Sequence, residues 1–148
     1  MAKELMEIGG FITEGAEIVN HDNTLSGNGT VDSPLGVVPC DWININSACT
    51  GLQEGIEVMY CPVIKTVQIV GNVDSKNFSN TNWYYWGTIT ADQYKPLYPN
   101  IALAGYSNKA SSIFKGFIQS DGQIGVGVSV TGSQNIRFTT RFDVSGNQ

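Results

Sequence analysis

The chain has 148 residues, a formal net charge of −5 at pH 7 and 14% charged residues, against roughly 25% in ordinary soluble domains. Its eight Lys and Arg residues are scattered along the chain, which argues against a nucleic-acid partner, because phosphate binding needs concentrated positive charge. No stretch approaches about 18 consecutive apolar residues, so no membrane insertion is expected.

The first predicted unit comprises residues 1 to about 20. It carries two apolar groups, around Leu5 and around Phe11, interspersed with acidic residues. A helical turn or an edge strand of this length is not stable alone, so the segment needs a partner. That partner is the rest of the chain, a neighbouring subunit or a larger assembly. The segment lacks the continuous apolar run of a signal peptide, so synthesis in a cytoplasm is expected.

Residues 24–37 are rich in turn-forming residues. Gly27 and Gly29 allow backbone angles that other residues resist, and Pro34 lacks the N–H group that a β-ladder requires. By composition alone the segment is typical of a flexible linker. We therefore predict an N-terminal attachment and neck segment over residues 1–34 and a β head domain over residues 35–148.

The head domain is predicted to consist of strands joined by turns. More than a third of the chain is Gly, Asn, Ser or Thr, which disfavours long helices. The predicted strands are residues 36–43, 56–61, 63–73, 84–90, 101–106, 113–120, 123–130 and 135–144. Among them, residues 135–144 have a period of two, with Ile136, Phe138, Thr140, Phe142 and Val144 predicted on the inner face, which is the pattern of a half-buried strand. Strands of this number and spacing predict an all-β fold, an antiparallel β-sandwich or jelly roll.

The clearest hairpin lies in the C-terminal third. Asp121 and Gly122 separate two strands and suit a tight primed turn. In the second of these strands, Gly125 and Gly127 leave one face nearly bare, whereas the other face is apolar. A bare face implies close approach by another element, such as a second sheet or another subunit.

The three cysteines, Cys40, Cys49 and Cys61, form an odd set without a Cys-x-x-Cys pair. We expect free, mostly buried thiols. A Cys40–Cys49 bridge is the alternative. A zinc site is disfavoured because the single histidine, His21, lies far upstream.

Short motifs along the chain resemble those of bacteriophage tail fibres and receptor-binding proteins. Residues 24–37 are similar to segments in the shaft and neck regions of these fibres. Residues 65–71, 93–96 and 120–126 resemble, in the same order, motifs of the fibre heads. The resemblance spans about residues 63–144, with Lys95 where arginine is common and with no family counterpart for residues 83–86.

The resemblance implies a homotrimer of β-sandwich or jelly-roll heads that hold a host surface saccharide or protein. It also implies a virion location, with the N-terminal segment attached to a larger virion or to a tail or baseplate assembly. The host and the binding residues do not transfer from the family.

The candidate binding residues lie in the aromatic stretch 77–86. They are Asn80, Asn82, Trp83, Tyr84 and Trp86. Aromatic rings can cover the C–H faces of a sugar, while amides and hydroxyls supply directional hydrogen bonds. Alternatively, these aromatic side chains belong to the core or to a subunit interface, and at least one tryptophan is expected to be buried.

A second aromatic group comprises Tyr94, Tyr98 and Tyr106, near a loop that contains two prolines. Packing beneath that loop is the favoured interpretation of this group, ahead of ligand recognition.

No catalytic residue, cofactor or metal site is predicted, and the protein is not expected to be an enzyme. Glu54 and Glu57 could form a carboxylate pair for glycoside cleavage, but two exposed acids beside a turn explain them better. Residues 74–77 only partly match a calcium loop, because the glycine and the terminal bidentate acid are missing. His21 is expected to be an exposed residue of a turn-rich segment.

The expected function is therefore multivalent adhesion to a host surface. The alternatives are a structural virion protein, such as a head fibre or capsid decoration that needs no receptor, and a short polysaccharide-cleaving tip.

Overall fold

The computed structural model describes Asp22 and residues 24–103, 105–109 and 115–147. These residues form an all-β structure with antiparallel sheets, which confirms the all-β part of the predicted fold. They fall into two compact units, one ending at Pro39 and the other beginning at Cys40. The predicted attachment segment up to residue 20, together with His21, lies outside the described residues.

The first unit contains a small hairpin. Strand β1 (Leu25–Ser26) pairs antiparallel with β2 (Gly36–Val37), and the loop between them is closed by a 2.9 Å hydrogen bond from Asn28 N to Ser33 O. Gly27 has a φ of 81°, and a Cβ at this position would collide with the carbonyl oxygen of Pro34. The segment that resembles a linker in composition is therefore a folded turn that requires its glycine.

The second unit contains ten strands within the described residues. They are β3 (Ile43–Asn44), β4 (Cys49–Thr50), β5 (Ile56–Cys61), β6 (Thr66–Phe78), β7 (Trp83–Ile89), β8 (Ile101–Leu103), β9 (Gly105–Ser107), β10 (Lys115–Ile118), β11 (Gln123–Gly127) and β12 (Gly132–Asp143). Three short 3₁₀ helices also occur, at Asn46–Ala48, Asp92–Tyr94 and Ser145–Asn147. Sheet I has the strand order β4-β7-β11-β10-β8, and sheet II has the order β3-β5-β6-β12-β9.

Two long strands, β6 and β12, form the middle of sheet II. Their alternating apolar residues are buried, as the sequence predicts, because successive side chains of a strand point to opposite faces. The alternation of β6 is interrupted at Asp74 and Ser75, where the register shifts against β12 and Ser75 adopts a φ of 50°. Asp74 there forms an ion pair with Arg137. The partial calcium-loop match at residues 74–77 is thus an irregular part of a strand.

One buried cluster receives side chains from both sheets. Trp86 of sheet I is 2% exposed, and its ring centroid lies 6.2 Å from that of Phe78 and 6.5 Å from that of Phe138, both from sheet II. The expectation that at least one tryptophan is buried is confirmed. Burying a large apolar side chain contributes about 1.5–3 kcal/mol, so this aromatic cluster is a main source of stability.

Two predicted strands are divided in the structure. Residues 36–43 hold β2 and the start of β3, which are separated by a segment without strand structure and belong to different sheets. Residues 101–106 hold β8 in sheet I and most of β9 in sheet II. In both cases the hydrogen-bonding partners change along the segment.

The predicted hairpin is present as β10 and β11, but its turn is not a two-residue primed turn. Gly122 N donates to Gln119 O at 2.9 Å, and Gln119 N donates to Gln123 O at 3.0 Å. Gly122 has a φ of 89°, whereas Asp121 is not in the positive-φ region. The loop is therefore a three-residue connection with glycine at its left-handed position.

Cys40 and Cys61 are joined by a disulfide, with their Cα atoms 5.8 Å apart. The expectation of three free thiols is wrong for these two residues, and the alternative Cys40–Cys49 bridge is also wrong. Cys49 is the free cysteine. The pairing follows from the fold, because β5 carries Cys61 alongside β3, and Cys40 lies just before β3 in the chain.

Candidate functional site

The candidate site is built on the outer face of sheet I, where three strands bring aromatic residues and glycines into register. In one cross-strand row, Gly127 of β11 pairs with both Trp83 of β7 and Lys115 of β10. The next row is formed by Tyr85, Gly125 and Phe117. Each row therefore has a glycine on the middle strand and larger side chains on both sides.

The aromatic rings occupy the space above the glycines. Three carbon atoms of the six-membered ring of Trp83 would lie 3.0–3.2 Å from a Cβ added at Gly127. A Cβ at Gly125 would collide with the ring of Phe117. The rings of Trp83 and Phe117 are tilted against each other with centroids 4.9 Å apart. The bare face predicted for β11 is thus covered by aromatic side chains of the same chain.

Strand alternation in β7 decides which aromatic residues reach the surface, and a β-bulge follows them. The pairing with β11 shifts between Gln123 and Gly125, so that Trp86 and Gly87 together oppose one residue of β11. Gly87 has a φ of 127° at this point. Trp83 and Tyr85, which precede the bulge, are 46% and 60% exposed. Trp86 points into the core.

The loop before β7 is fixed by side-chain hydrogen bonds. The Tyr84 hydroxyl donates to Asn80, with Oη 2.6 Å from Oδ1 and 2.9 Å from the backbone oxygen. Asn82 Oδ1 accepts the Trp83 backbone N–H at 2.8 Å. The carbonyl oxygen of Asn82 accepts the Val128 N–H at 3.0 Å. These bonds join the loop to β7 and to the residue that follows β11. They therefore fix the position of Trp83 at the start of β7.

A cleft of about 300 Å³ opens beside Trp83. Its lining residues come from the loop, β7, β10, and the end of β11 with the residues after it. They are Thr81, Asn82, Trp83, Lys115, Gly127, Val128 and Ser129. The cleft thus combines one indole with a hydroxyl-bearing and amide-bearing rim and a single charged group.

The five predicted binding residues have three different positions. Asn82 and Trp83 line the cleft. Asn80 and Tyr84 bind each other and hold the loop, with Tyr84 packed partly against the core. Trp86 is buried and does not reach the cleft.

Sequence reasoning missed the contribution of β10 and the end of β11. Lys115, Gly127, Val128 and Ser129 all line the cleft, yet they are more than 30 positions from Trp83 in the chain. The available signal was the row of small residues at Gly125 and Gly127, which indicates close packing by bulky neighbours.

The second aromatic group does not form a comparable site in the described part of the chain. Tyr94 packs in the interior against Tyr60, with ring centroids 5.0 Å apart. Tyr98 and Tyr106 are 72% and 63% exposed, and no ring contact joins either of them to another aromatic side chain among the described residues. Pro96 of the same loop is buried.

Among the described residues, four titratable groups have a shifted pKa, and none of the four lines the cleft. Burial raises the pKa of the Cys49 thiol to about 11. Burial also raises the pKa of Tyr60, helped by Tyr94. Hydrogen bonding from Lys95 lowers the pKa of Asp92, and hydrogen bonds from Ser145 lower that of Asp143.

Glu54 and Glu57 are both exposed, as expected for acids beside a turn. Among the described residues, no group of three or more His, Cys, Asp or Glu side chains is arranged to hold a metal ion. The same residues include no helix with the length and apolar character needed to cross a membrane.

The cleft is therefore defined by one exposed tryptophan on a glycine floor, a polar rim and one lysine. Its residues come from strands β7, β10 and β11, from the two residues after β11 and from the loop before β7, so the backbone hydrogen bonds of sheet I set the positions of the strand residues. No family model matches the chain, and no curated protein sequence matches it.

Proposed function

We propose that the protein is an adhesion module of the phage receptor-binding type, which attaches to a host surface saccharide through the cleft beside Trp83. The observation that carries this proposal is the half-exposed indole at the edge of a cleft that is otherwise rimmed by amide and hydroxyl groups. A host surface protein is the other ligand class that the resemblance to fibre heads allows.

The chemistry of the cleft matches the two kinds of surface that a sugar presents. An indole face covers the apolar C–H face of a pyranose ring, and side-chain amides and hydroxyls pair with its hydroxyl groups. The Asn82 side chain uses Oδ1 to hold Trp83, and its Nδ2 group has no partner among the described residues. Thr81 and Ser129 add hydroxyls to the rim. A volume of about 300 Å³ lies at the small end of ligand sites, which suits a short saccharide.

The site is shallow, so its affinity is expected to depend on repetition. We propose that sheets I and II pack face to face as a β-sandwich head and that the head is a homotrimer. The shared buried cluster supports the packing of the sheets, and the resemblance to fibre heads supports the trimer. Linking several weak sites raises avidity by about a hundredfold or more without new contacts. Residues 1–34 would attach the head to a virion, tail or baseplate.

A binding experiment on host cells and a glycan array tests the proposal. Trp83→Ala should abolish binding, whereas Tyr98→Ala, which removes an equally exposed aromatic ring outside the cleft, should leave binding unchanged. Both variants should keep the mass of the wild-type oligomer. Equal binding by wild type and Trp83→Ala would exclude this cleft as the adhesion site.

The alternative function is that of a structural virion protein, and one observation favours it. The hairpin of the first unit leaves Val31 99% exposed and Val37 79% exposed, as a surface that another protein covers in an assembly would be. Binding of the purified protein to virion shells but not to host cells would support decoration over adhesion. The trimer itself is tested by solution mass, since three chains of 16.0 kDa give about 48 kDa.

A further inference from the structure

We propose that the saccharide recognised by this cleft carries a negative charge, a carboxylate or a phosphate, and that Lys115 binds it. This inference rests on the proposed function and names the class of its ligand. It is argued from the position of Lys115 in sheet I and from the groups around it. It is also argued from the lack of a carboxylate partner for the Lys115 ammonium group among the described residues.

Lys115 and Trp83 lie on opposite sides of the same glycine. Both pair with Gly127, one from β10 and one from β7. Neighbouring strands are about 4.8 Å apart, so the backbones of Lys115 and Trp83 are separated by about 10 Å. Since Gly127 has no side chain, β11 places nothing between the indole and the lysine stem. A sugar ring against Trp83 can therefore direct an acidic substituent toward the ammonium group.

The charge of Lys115 is not neutralised by the protein in the described structure. Its ammonium group has no carboxylate partner among the described residues, unlike Lys95, which pairs with Asp92 at 2.6 Å. Among the described residues, no Asp or Glu lines the cleft. Lys115 is thus the one charged side chain of the described lining, in a chain whose net charge is −5.

A common structural reason for a strand lysine does not apply here. Lysines often protect an exposed sheet edge from pairing with another chain. Strand β10 lies between β11 and β8 in sheet I, so it is not an edge strand. A lysine ammonium group offers three donors and a compact charge, which suits one acidic substituent rather than a flat bidentate contact.

The test compares charged ligands with their uncharged counterparts. Oligogalacturonate and its methyl ester form the carboxylate arm, and galactose 6-phosphate and galactose form the phosphate arm. Binding to the full-length protein is followed by calorimetry and by the NMR signal of the Trp83 indole. We expect the charged member of one arm to bind at least about tenfold more tightly than its uncharged counterpart, because it forms a charge-assisted hydrogen bond. Raised salt should weaken that preference. The arm that shows the preference identifies the acidic group.

Three variants assign the preference to Lys115. Lys115→Met should abolish it, Lys115→Arg should retain most of it, and Lys95→Met should leave it unchanged, although it removes the same charge outside the cleft. Equal affinity for charged and neutral ligands, with binding still lost in Trp83→Ala, would overturn this inference and leave the proposed function intact. Binding in the glycan array to neutral saccharides alone would overturn the inference by itself. If no saccharide of either arm perturbs the Trp83 signal and the glycan array also shows no binding, the inference fails together with the saccharide-binding proposal.

Discussion

The indole of Trp83 lies over Gly127, its cross-strand partner, so closely that a single methyl group on the glycine would contact three of its ring carbons at 3.0–3.2 Å. The glycine thereby sets the height of the tryptophan above the sheet. This pair, more than the length of the aromatic stretch, determines the shape of the cleft.

Gly127→Ala should move the Trp83 ring and weaken saccharide binding by about threefold to tenfold, since a contact of this kind forces the neighbour to shift by a few tenths of an ångström. Fluorotryptophan NMR can measure the movement, because the chain has three tryptophans whose signals are assigned by substitution. The signals of Trp42 and Trp86 should not change. An unshifted Trp83 signal in Gly127→Ala would contradict the arrangement of the pair.

Two tryptophans of the same strand should differ sharply in their effect on stability. Trp86→Ala should lower the free energy of unfolding by about 3–5 kcal/mol, because Trp86 is 2% exposed and stacks on Phe78 and Phe138. Trp83→Ala should lower the free energy of unfolding by about 1 kcal/mol, since nearly half of that side chain is already exposed. Urea denaturation measures both values. Similar losses in the two variants would mean that β7 does not place one tryptophan in the core and the other at the surface.

The Cys40–Cys61 disulfide should stabilise the fold by about 3 kcal/mol, because it closes a loop with a sequence separation of 21. The double variant Cys40→Ser/Cys61→Ser should lose this stability, and wild type should lose it on reduction. Cys49→Ser serves as the control, because Cys49 forms no disulfide. Alkylation of unfolded, unreduced protein should modify one of the three cysteines. Modification of all three before reduction would show that the bridge is absent.

The thiol of Cys49 should react slowly and with an unusual pH dependence. Burial raises its pKa to about 11, so at pH 8 only about one molecule in a thousand carries the reactive thiolate. The modification rate of the folded protein should rise about a hundredfold between pH 8 and pH 10. A rate that levels off near pH 9 would contradict the raised pKa.

The raised pKa of Cys49 also makes the free energy of unfolding depend on pH. The folded state prefers the protonated thiol, so this contribution to stability is fully present below the ordinary value of 9.0 and is lost as the pH rises through about 11. Comparing the pH dependence of the free energy of unfolding in wild type and in Cys49→Ser isolates this contribution. The variant should lose less stability than wild type over that interval.

Some elements were predictable because their signal is local. The limits of β5 match the predicted residues 56–61, and the alternating residues of β6 and β12 are buried as the period of two requires. Pleating forces side chains to alternate wherever a strand forms, so a strand with one buried face is visible in the sequence. The aromatic stretch before residue 86 was likewise recognisable as a candidate surface.

Alternation along β7 predicts that Trp83 and Trp86 face opposite sides, and the tertiary structure decided which of the two sides is the core. The bulge at Trp86 and Gly87 depends on pairing with β11, about 40 positions away. The position of Lys115 across Gly127 and the pairing of Cys40 with Cys61 also depend on which strands become neighbours. Sequence therefore determined the fold class and the strands with a clear period. Strand register determined the site, because cross-strand contacts join residues that no local pattern connects.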